Sequence, residues 1–137
     1  IKNPGLNSGF MMMQVTAAAL TSENKLLSNP SSSDSIPTCS DQEDYVSMAP
    51  YSGRKLLDAV NNLQMILAIE LLCACQGIDF RTKLKPAEVL NTLHKLIRKH
   101  VSHLSKDRFL KKDFNIMMKL INNNILLDRI KKDIILI

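Results

Sequence analysis

The sequence predicts an all-α chain arranged as a bundle of long helices. Three observations carry that prediction. No stretch alternates apolar and polar residues for long enough to make a strand. Long runs of Ala, Met, Leu, Gln, Glu and Lys are separated by short breaks rich in Ser, Pro and Asn. Apolar residues of the C-terminal half recur at helical spacing.

The first helix is expected over Phe10–Leu27, where FMMMQVTAAALTSENKLL joins strong helix formers. Its first half is apolar on almost every face, as in a buried helix. Residues 28–40, SNPSSSDSIPTCS, have the composition of a loop. Ser40-Asp41-Gln42-Glu43 fits a capping box, so a helix is expected to start near Asp41 and to break or kink at Pro50 and Gly53. A long helix follows from Arg54 to about Gln76, with Gly77 placed to end it. Leu56, Leu57, Val60, Leu63 and Leu67 make its first turns amphipathic, and Met65–Cys75 is apolar nearly all round. Pro86 in Lys85-Pro86-Ala87-Glu88 is expected at the first position of another helix. Val89, Leu90, Leu93, Leu96, Ile97, Val101 and Leu104 line one face of it. Two shorter helices are expected over Lys111–Asn122 and Asn124–Ile137, with the break at Asn122-Asn123-Asn124.

Two helices apolar on most faces are too many for five helices to cover. The missing cover must come from further chain, from other subunits, or from both. The chain also opens Ile1-Lys2-Asn3-Pro4-Gly5 without an initiator Met, and it is expected to be part of a longer polypeptide. Its two parts are residues 1–80, core helices with a loop at Ser28–Asp44, and residues 81–137, amphipathic helices.

The 137 residues suffice for one domain burying roughly two thirds of its unfolded surface. At 45% hydrophobic and 23% charged, the chain falls outside the disordered class, and four Gly and five Pro exclude a collagen-like or low-complexity one. Met65–Cys75 is interrupted by Glu70 and falls short of a membrane span, and no secretory signal opens the chain. The three Cys cannot all pair with one another and are expected as reduced cytosolic thiols. The net charge of +5 is uneven: residues 1–80 carry 4 basic and 8 acidic residues, and residues 81–137 carry 14 and 5. A basic half can serve nucleic acid or an acidic partner, but aromatics are only 4% with no Trp, which leaves little for base stacking.

Most candidate chemistry is weak. Cys73 and Cys75 stand two apart on a helix and point to different sides, so they make a poor metal clip and read as buried thiols. His94, His100 and His103 fall on one expected helix without a carboxylate or Cys at ligand spacing. No metal site, phosphate-binding Gly loop or nucleophile elbow is present. The acids of Asp41-Gln42-Glu43-Asp44 are the better candidates. They can serve as helix caps, or one can aim a carboxylate into a cleft toward a cationic or imidazole-bearing ligand.

Longer words occur in a fixed order along the chain. They are Asn3-Pro4-Gly5-Leu6-Asn7-Ser8-Gly9-Phe10-Met11, Gln14-Val15-Thr16-Ala17-Ala18-Ala19-Leu20, Ser22-Glu23-Asn24-Lys25, Asp34-Ser35-Ile36-Pro37-Thr38, Gln42-Glu43-Asp44, Val46-Ser47-Met48, Ala68-Ile69-Glu70-Leu71-Leu72 and Ala74-Cys75-Gln76-Gly77-Ile78-Asp79-Phe80. The chain resembles the C-terminal part of the aromatic amino acid lyase family, in its histidine-specific branch. The match is dense over residues 3–80 and thinner beyond.

The resemblance implies a C-terminal fragment of a mostly helical fold, assembled as a cytoplasmic homotetramer around a core of long helices. It implies elimination of ammonia from L-histidine to give trans-urocanate, the first step of histidine breakdown. The electrophile would be 4-methylideneimidazol-5-one (MIO), formed from an internal Ala-Ser-Gly that is absent from these 137 residues, so the fragment is expected to be inactive alone. No metal, nucleic acid or membrane is implied. Glu43 matches the family's carboxylate that faces the substrate imidazole, where relatives acting on phenylalanine carry an amide. Met11 matches a residue lining the same ring pocket. Gln42 is a candidate partner on the carboxylate side of the substrate. Two departures stand out. Tyr45 takes a position where the family usually has His, and Cys39-Ser40-Asp41 replaces a Ser-Ala-Asn run. The competing readings are a tyrosine- or phenylalanine-type lyase of the same family, and a helical interaction module with a basic partner-binding half.

Overall fold

The structure is a computed structural model and describes residues 1, 3–31, 35–47, 49–81 and 83–131. It is helical throughout: α1 (Met11–Leu27), α2 (Ala49–Phe80), α3 (Glu88–His100), α4 (Lys111–Asn122) and α5 (Ile125–Lys131). Among the described residues there is no strand, only isolated bridges at Pro4–Asn7 and Thr38–Glu43. The expected helix over Asn124–Ile137 is seen from Ile125 to Lys131, and its remainder lies outside the described residues, as do Met48 and part of the loop at Ser28–Asp44.

The spine is α2, whose 32 residues span about 48 Å at 1.5 Å each. Helix α1 runs antiparallel along its first half. Near the end of α1, Asn24 donates to the Ala59 carbonyl at 3.3 Å and accepts from the buried Asn62 at 3.0 Å. Near its start, Met13 shares a cavity with Met65 and Ile69. The second half of α2 carries the core. Ala68, Leu72 and Cys75 pack with Ile97 and Val101, with Met117 and Leu120 of α4, and with Leu126 of α5.

Four expected boundaries move. Pro50 is the second residue of α2 and breaks nothing, because N–H groups of the first turn have no helical partner to lose. Gly77 does not end α2, which runs on to Phe80. A helical Gly costs about 1 kcal/mol, and the contacts made by Gln76 and Asp79 on either side outweigh it. Helix α3 begins at Glu88 rather than Pro86 and ends at His100 rather than Leu104. Val101 turns extended, and the Gln76 amide pairs with both backbone groups of Leu104, accepting its N–H at 3.1 Å and donating to its carbonyl at 2.9 Å. That side chain replaces the hydrogen bonds a longer helix would have supplied. Val101 and Leu104 are still buried, as their spacing predicts.

The capping box at Ser40 does not form. Cys39, Ser40 and Asp41 all have positive φ, at 52°, 54° and 66°. A capping residue needs extended backbone, so Ser40 cannot cap, and the next helix starts only at Ala49. The acids 41–44 therefore sit in a tight turn, not at a helix dipole.

The apolar surplus is plain in three dimensions. No residue of α1 is buried. On α2, Leu56, Val60, Leu63 and Leu67 form an exposed stripe, flanked by Leu57. By length and composition α2 is apolar enough to cross a membrane, because the helix extends well beyond Met65–Cys75. The core helix of a helical bundle has the same length and composition.

Candidate functional site

Glu43 and Gln42 lie in a narrow loop closed by two rungs. At the base, the Ser35 hydroxyl accepts the Val46 N–H at 2.9 Å and donates to the Val46 carbonyl at 3.2 Å. Above it, the Thr38 N–H donates to the Glu43 carbonyl at 2.9 Å, and the Glu43 N–H returns to Thr38 at 3.4 Å. The Gln42 N–H donates to Cys39 at 3.3 Å across the left-handed turn. Three successive left-handed residues cost about 1–2 kcal/mol each. The two rungs hold them in place, so the loop fixes the Glu43 backbone while its carboxylate stays exposed.

Met11 is the first residue of α1 and is 58% exposed. No hydrogen bond among the described residues ties it to the Glu43 loop. The nearest cavity to the start of α1, of about 600 Å³, is lined by Ser8, Gly9, Met12, Met13, Asp107 and Phe109 among others. Met11, Gln42 and Glu43 are not among its walls. Tyr45 is exposed beside the loop.

Sequence reasoning missed a charged cluster around Asp79, at the last turn of α2. Its side chain is 16% exposed. His94 Nε2 donates to Oδ1 at 2.6 Å, and His103 Nδ1 donates to Oδ2 at 2.6 Å. Arg98 forks onto the same carboxylate, with Nη2 at 2.8 Å and Nε at 3.4 Å. Gln76 lies 3.2 Å from His103 Nε2, which fits the Nδ1–H tautomer of that ring, and the Phe80 ring meets its edge at 5.6 Å. Burial pushes the Asp79 carboxyl up, but hydrogen bonds from His103, Arg98 and His94 and the Arg98 charge outweigh it and hold the group below the ordinary aspartate range. His94 and His103 are thus partly packed, and His103 lies beyond α3 rather than on it; His100 is exposed. One signal was available: His94 and Arg98 are four apart on a helix, so two donors share a face that needs an acceptor.

Among the described residues no group of three or more His, Cys, Asp or Glu could hold a metal ion. Cys39, Cys73 and Cys75 are all free, with Cys39 exposed and Cys75 buried. Burial raises the thiols of Cys73 and Cys75 above their ordinary value.

These elements agree with known proteins. Residues 1–99 match the aromatic amino acid lyase family. The chain is 54% identical over 121 residues to a histidine ammonia-lyase of Yersinia enterocolitica, covering 88% of this chain and 24% of that protein. It superposes on the crystal structure of histidine ammonia-lyase from Trypanosoma cruzi with a TM-score of 0.93 and 42% identity, over 99% of this chain and 27% of that one. A tyrosine aminomutase from Streptomyces globisporus gives a TM-score of 0.89 at 32% identity, over 98% and 26%. The chain thus spans about a quarter of the length of the relatives it matches. This chain belongs to the aromatic amino acid lyase family.

Proposed function

We propose that this chain is the C-terminal part of a histidine ammonia-lyase, a cytoplasmic homotetramer that eliminates ammonia from L-histidine to give trans-urocanate. The observation that carries the reading is the identity to histidine ammonia-lyases, 54% to that of Yersinia and, by superposition, 42% to that of Trypanosoma cruzi against 32% to the tyrosine aminomutase. The chemistry of Glu43 agrees with it. An ionised carboxylate accepts a hydrogen bond from an imidazole N–H, and a phenyl ring has no such donor. Met11 supplies an apolar wall to the ring pocket, and Gln42 supplies an amide toward the substrate carboxylate. The bare apolar faces of α1 and α2 support assembly: Met12, Val15, Leu56, Val60, Leu63 and Leu67 are exposed here and would be covered in a bundle of subunits.

The family's lyases generally use MIO, which would supply the electrophile for ammonia loss. These residues do not fit that group: they contain no Ala-Ser-Gly from which it could form. The part played by this chain is therefore to recognise the ring, not to build the electrophile.

The test uses the full-length lyase polypeptide that carries this chain. Urocanate absorbance is followed after adding L-histidine, with L-phenylalanine and L-tyrosine as controls. Product from histidine alone is expected. Product only from a control substrate would overturn the assignment in favour of the tyrosine- or phenylalanine-type reading. Glu43→Gln should cut histidine turnover tenfold or more, equivalent to at least about 1.4 kcal/mol for a lost charged contact. An unchanged rate would remove Glu43 from the site.

A further inference from the structure

Asp107 lies 98 and 99 residues from the two backbone groups it holds. Its Oδ2 accepts the Ser8 N–H at 2.7 Å, and its Oδ1 accepts the Gly9 N–H at 2.8 Å. The Asp107 N–H donates in return to Asn7 Oδ1 at 3.1 Å. One residue thus grips three consecutive positions. Two adjacent N–H groups converge on one carboxylate only when the backbone folds into a concave nest. Gly9 makes that possible with φ +62°, and a Cβ there would meet Ile1 at 3.3 Å as well as being strained.

The gripped turn leads directly into α1. The Met11 N–H donates to the Ser8 carbonyl at 3.3 Å. Phe10, at the cap position, gives the helix no side-chain cap. The carboxylate of Asp107 is therefore a polar anchor from another element at the start of α1, beside the apolar packing of Phe10 and Met13 on the core. Asp107 is itself held steady by its neighbour. Arg108 donates to Asp113 Oδ2 at 2.7 Å and 3.0 Å, to the Ser102 carbonyl at 2.8 Å and to the His103 carbonyl at 3.0 Å. Asp113 is buried in the first turn of α4. Through the adjacent residues Asp107 and Arg108, polar contacts therefore reach from α4 and the loop between α3 and α4 to the start of α1.

We infer that Asp107 is a positioning residue for the substrate-ring pocket, acting through the Asn7-Ser8-Gly9 turn on Met11. The inference rests on the histidine-lyase reading above, in which Met11 borders the ring. Because the grip holds a turn outside the apolar core, its loss frees the Ser8 and Gly9 N–H groups to take other acceptors. The turn and the first residues of α1 then move without the core unfolding. Ring placement suffers while the folded population does not.

The experiment compares wild type, Asp107→Ala and Asp107→Asn in the full-length lyase, measuring KM and kcat for L-histidine and the melting temperature. Asp107→Ala should raise KM by about tenfold with little change in melting temperature, as expected for lost orientation at a distance from the chemistry. Asp107→Asn keeps one acceptor oxygen, so its KM should fall between the other two. A merely structural role would lower the melting temperature and the active fraction, and hence the apparent kcat, while leaving KM unmoved; that pattern overturns the inference. If the alanine variant does not fold, the asparagine variant decides, and a wild-type KM there overturns it equally. Wild type that makes no urocanate from L-histidine overturns the functional reading and this inference together. Wild type that turns over histidine with KM unchanged in both variants overturns the inference alone.

Discussion

Asp79 is the residue whose loss should cost this chain most for a single polar side chain. Asp79→Ala removes the acceptor shared by His94, Arg98 and His103, which join the end of α2 to α3 and to the extended segment after it. A hydrogen bond to a charged group contributes about 1.5–3 kcal/mol, and breaking a buried ion pair strands its partner. Here the stranding is partial. Arg98 is 16% exposed but keeps the Val101 carbonyl at 3.1 Å and Gln76 Oε1 at 3.4 Å, and the His103 side chain is 39% exposed and can turn to water. The expected loss is therefore about 3 kcal/mol for Asp79→Ala, and roughly half that for Asp79→Asn, which keeps one acceptor oxygen. Urea unfolding followed by far-UV circular dichroism reads it as a lower midpoint at constant slope. The acid limb gives an independent reading. The Asp79 carboxyl is held below its ordinary range when folded, so on acidification the unfolded chain takes up the proton first. Its stabilising contribution is whole above that range and is lost as pH falls below about 4, toward the lowered folded value. Asp79→Asn should flatten that part of the stability curve. A loss under about 0.5 kcal/mol for Asp79→Ala, with an unchanged acid limb, would show a cluster as weakly coupled as a surface pair and would refute the reasoning.

Other outcomes follow from the same contacts. If the proposed function holds, Glu43→Gln in the full-length lyase should narrow a preference for histidine over phenylalanine as it lowers histidine turnover, which parallel substrate assays would show. Asn24→Ala should destabilise the chain by about 1–2 kcal/mol, because it leaves the buried Asn62 amide short of its partner; urea unfolding measures it. Leu72→Ala, at a position 1% exposed in the core, should cost roughly 2–5 kcal/mol in the same assay. Titration of the native chain with a thiol reagent at neutral pH should label Cys39 first and Cys73 and Cys75 much later, since burial disfavours their thiolates.

The helices were legible wherever local propensity and burial agree. Lys111–Asn122 was read from composition to the residue, and α1 to within one. Misreadings arose where a single residue was given the authority of a boundary. Pro50 falls in the first turn of α2, where it carries no helical penalty, and α2 absorbs the local cost of Gly77 because its packing extends past it. The end of α3 was misread for the opposite reason: Gln76, 28 residues before Leu104, offers that segment a hydrogen-bonding partner no local rule anticipates. At Ser40 the spacing of a capping box was right and the backbone was not, because Thr38 and Glu43 pair across the turn and hold residues 39–41 left-handed.

The site divides along the same line. Glu43, Gln42 and Met11 came from short words compared with a family, which require no knowledge of contacts. The Asp79 cluster and the Asp107 grip join residues 15 to 99 apart, and a carboxylate in sequence does not announce which distant donors it will meet. Only helical spacing leaves a trace, as in His94 and Arg98, because two donors one turn apart specify the face an acceptor must occupy. The bare apolar faces were legible for a related reason. Burial is a balance of area, and five helices with two apolar nearly all round cannot close that balance among themselves. The same balance explains why the polar clusters sit where they do. The apolar core occupies the second half of α2, and directional contacts fasten the parts that area alone leaves loose: Asn24 and Asn62 between α1 and α2, Asp79 at the last turn of α2, and Asp107 at the entry to α1.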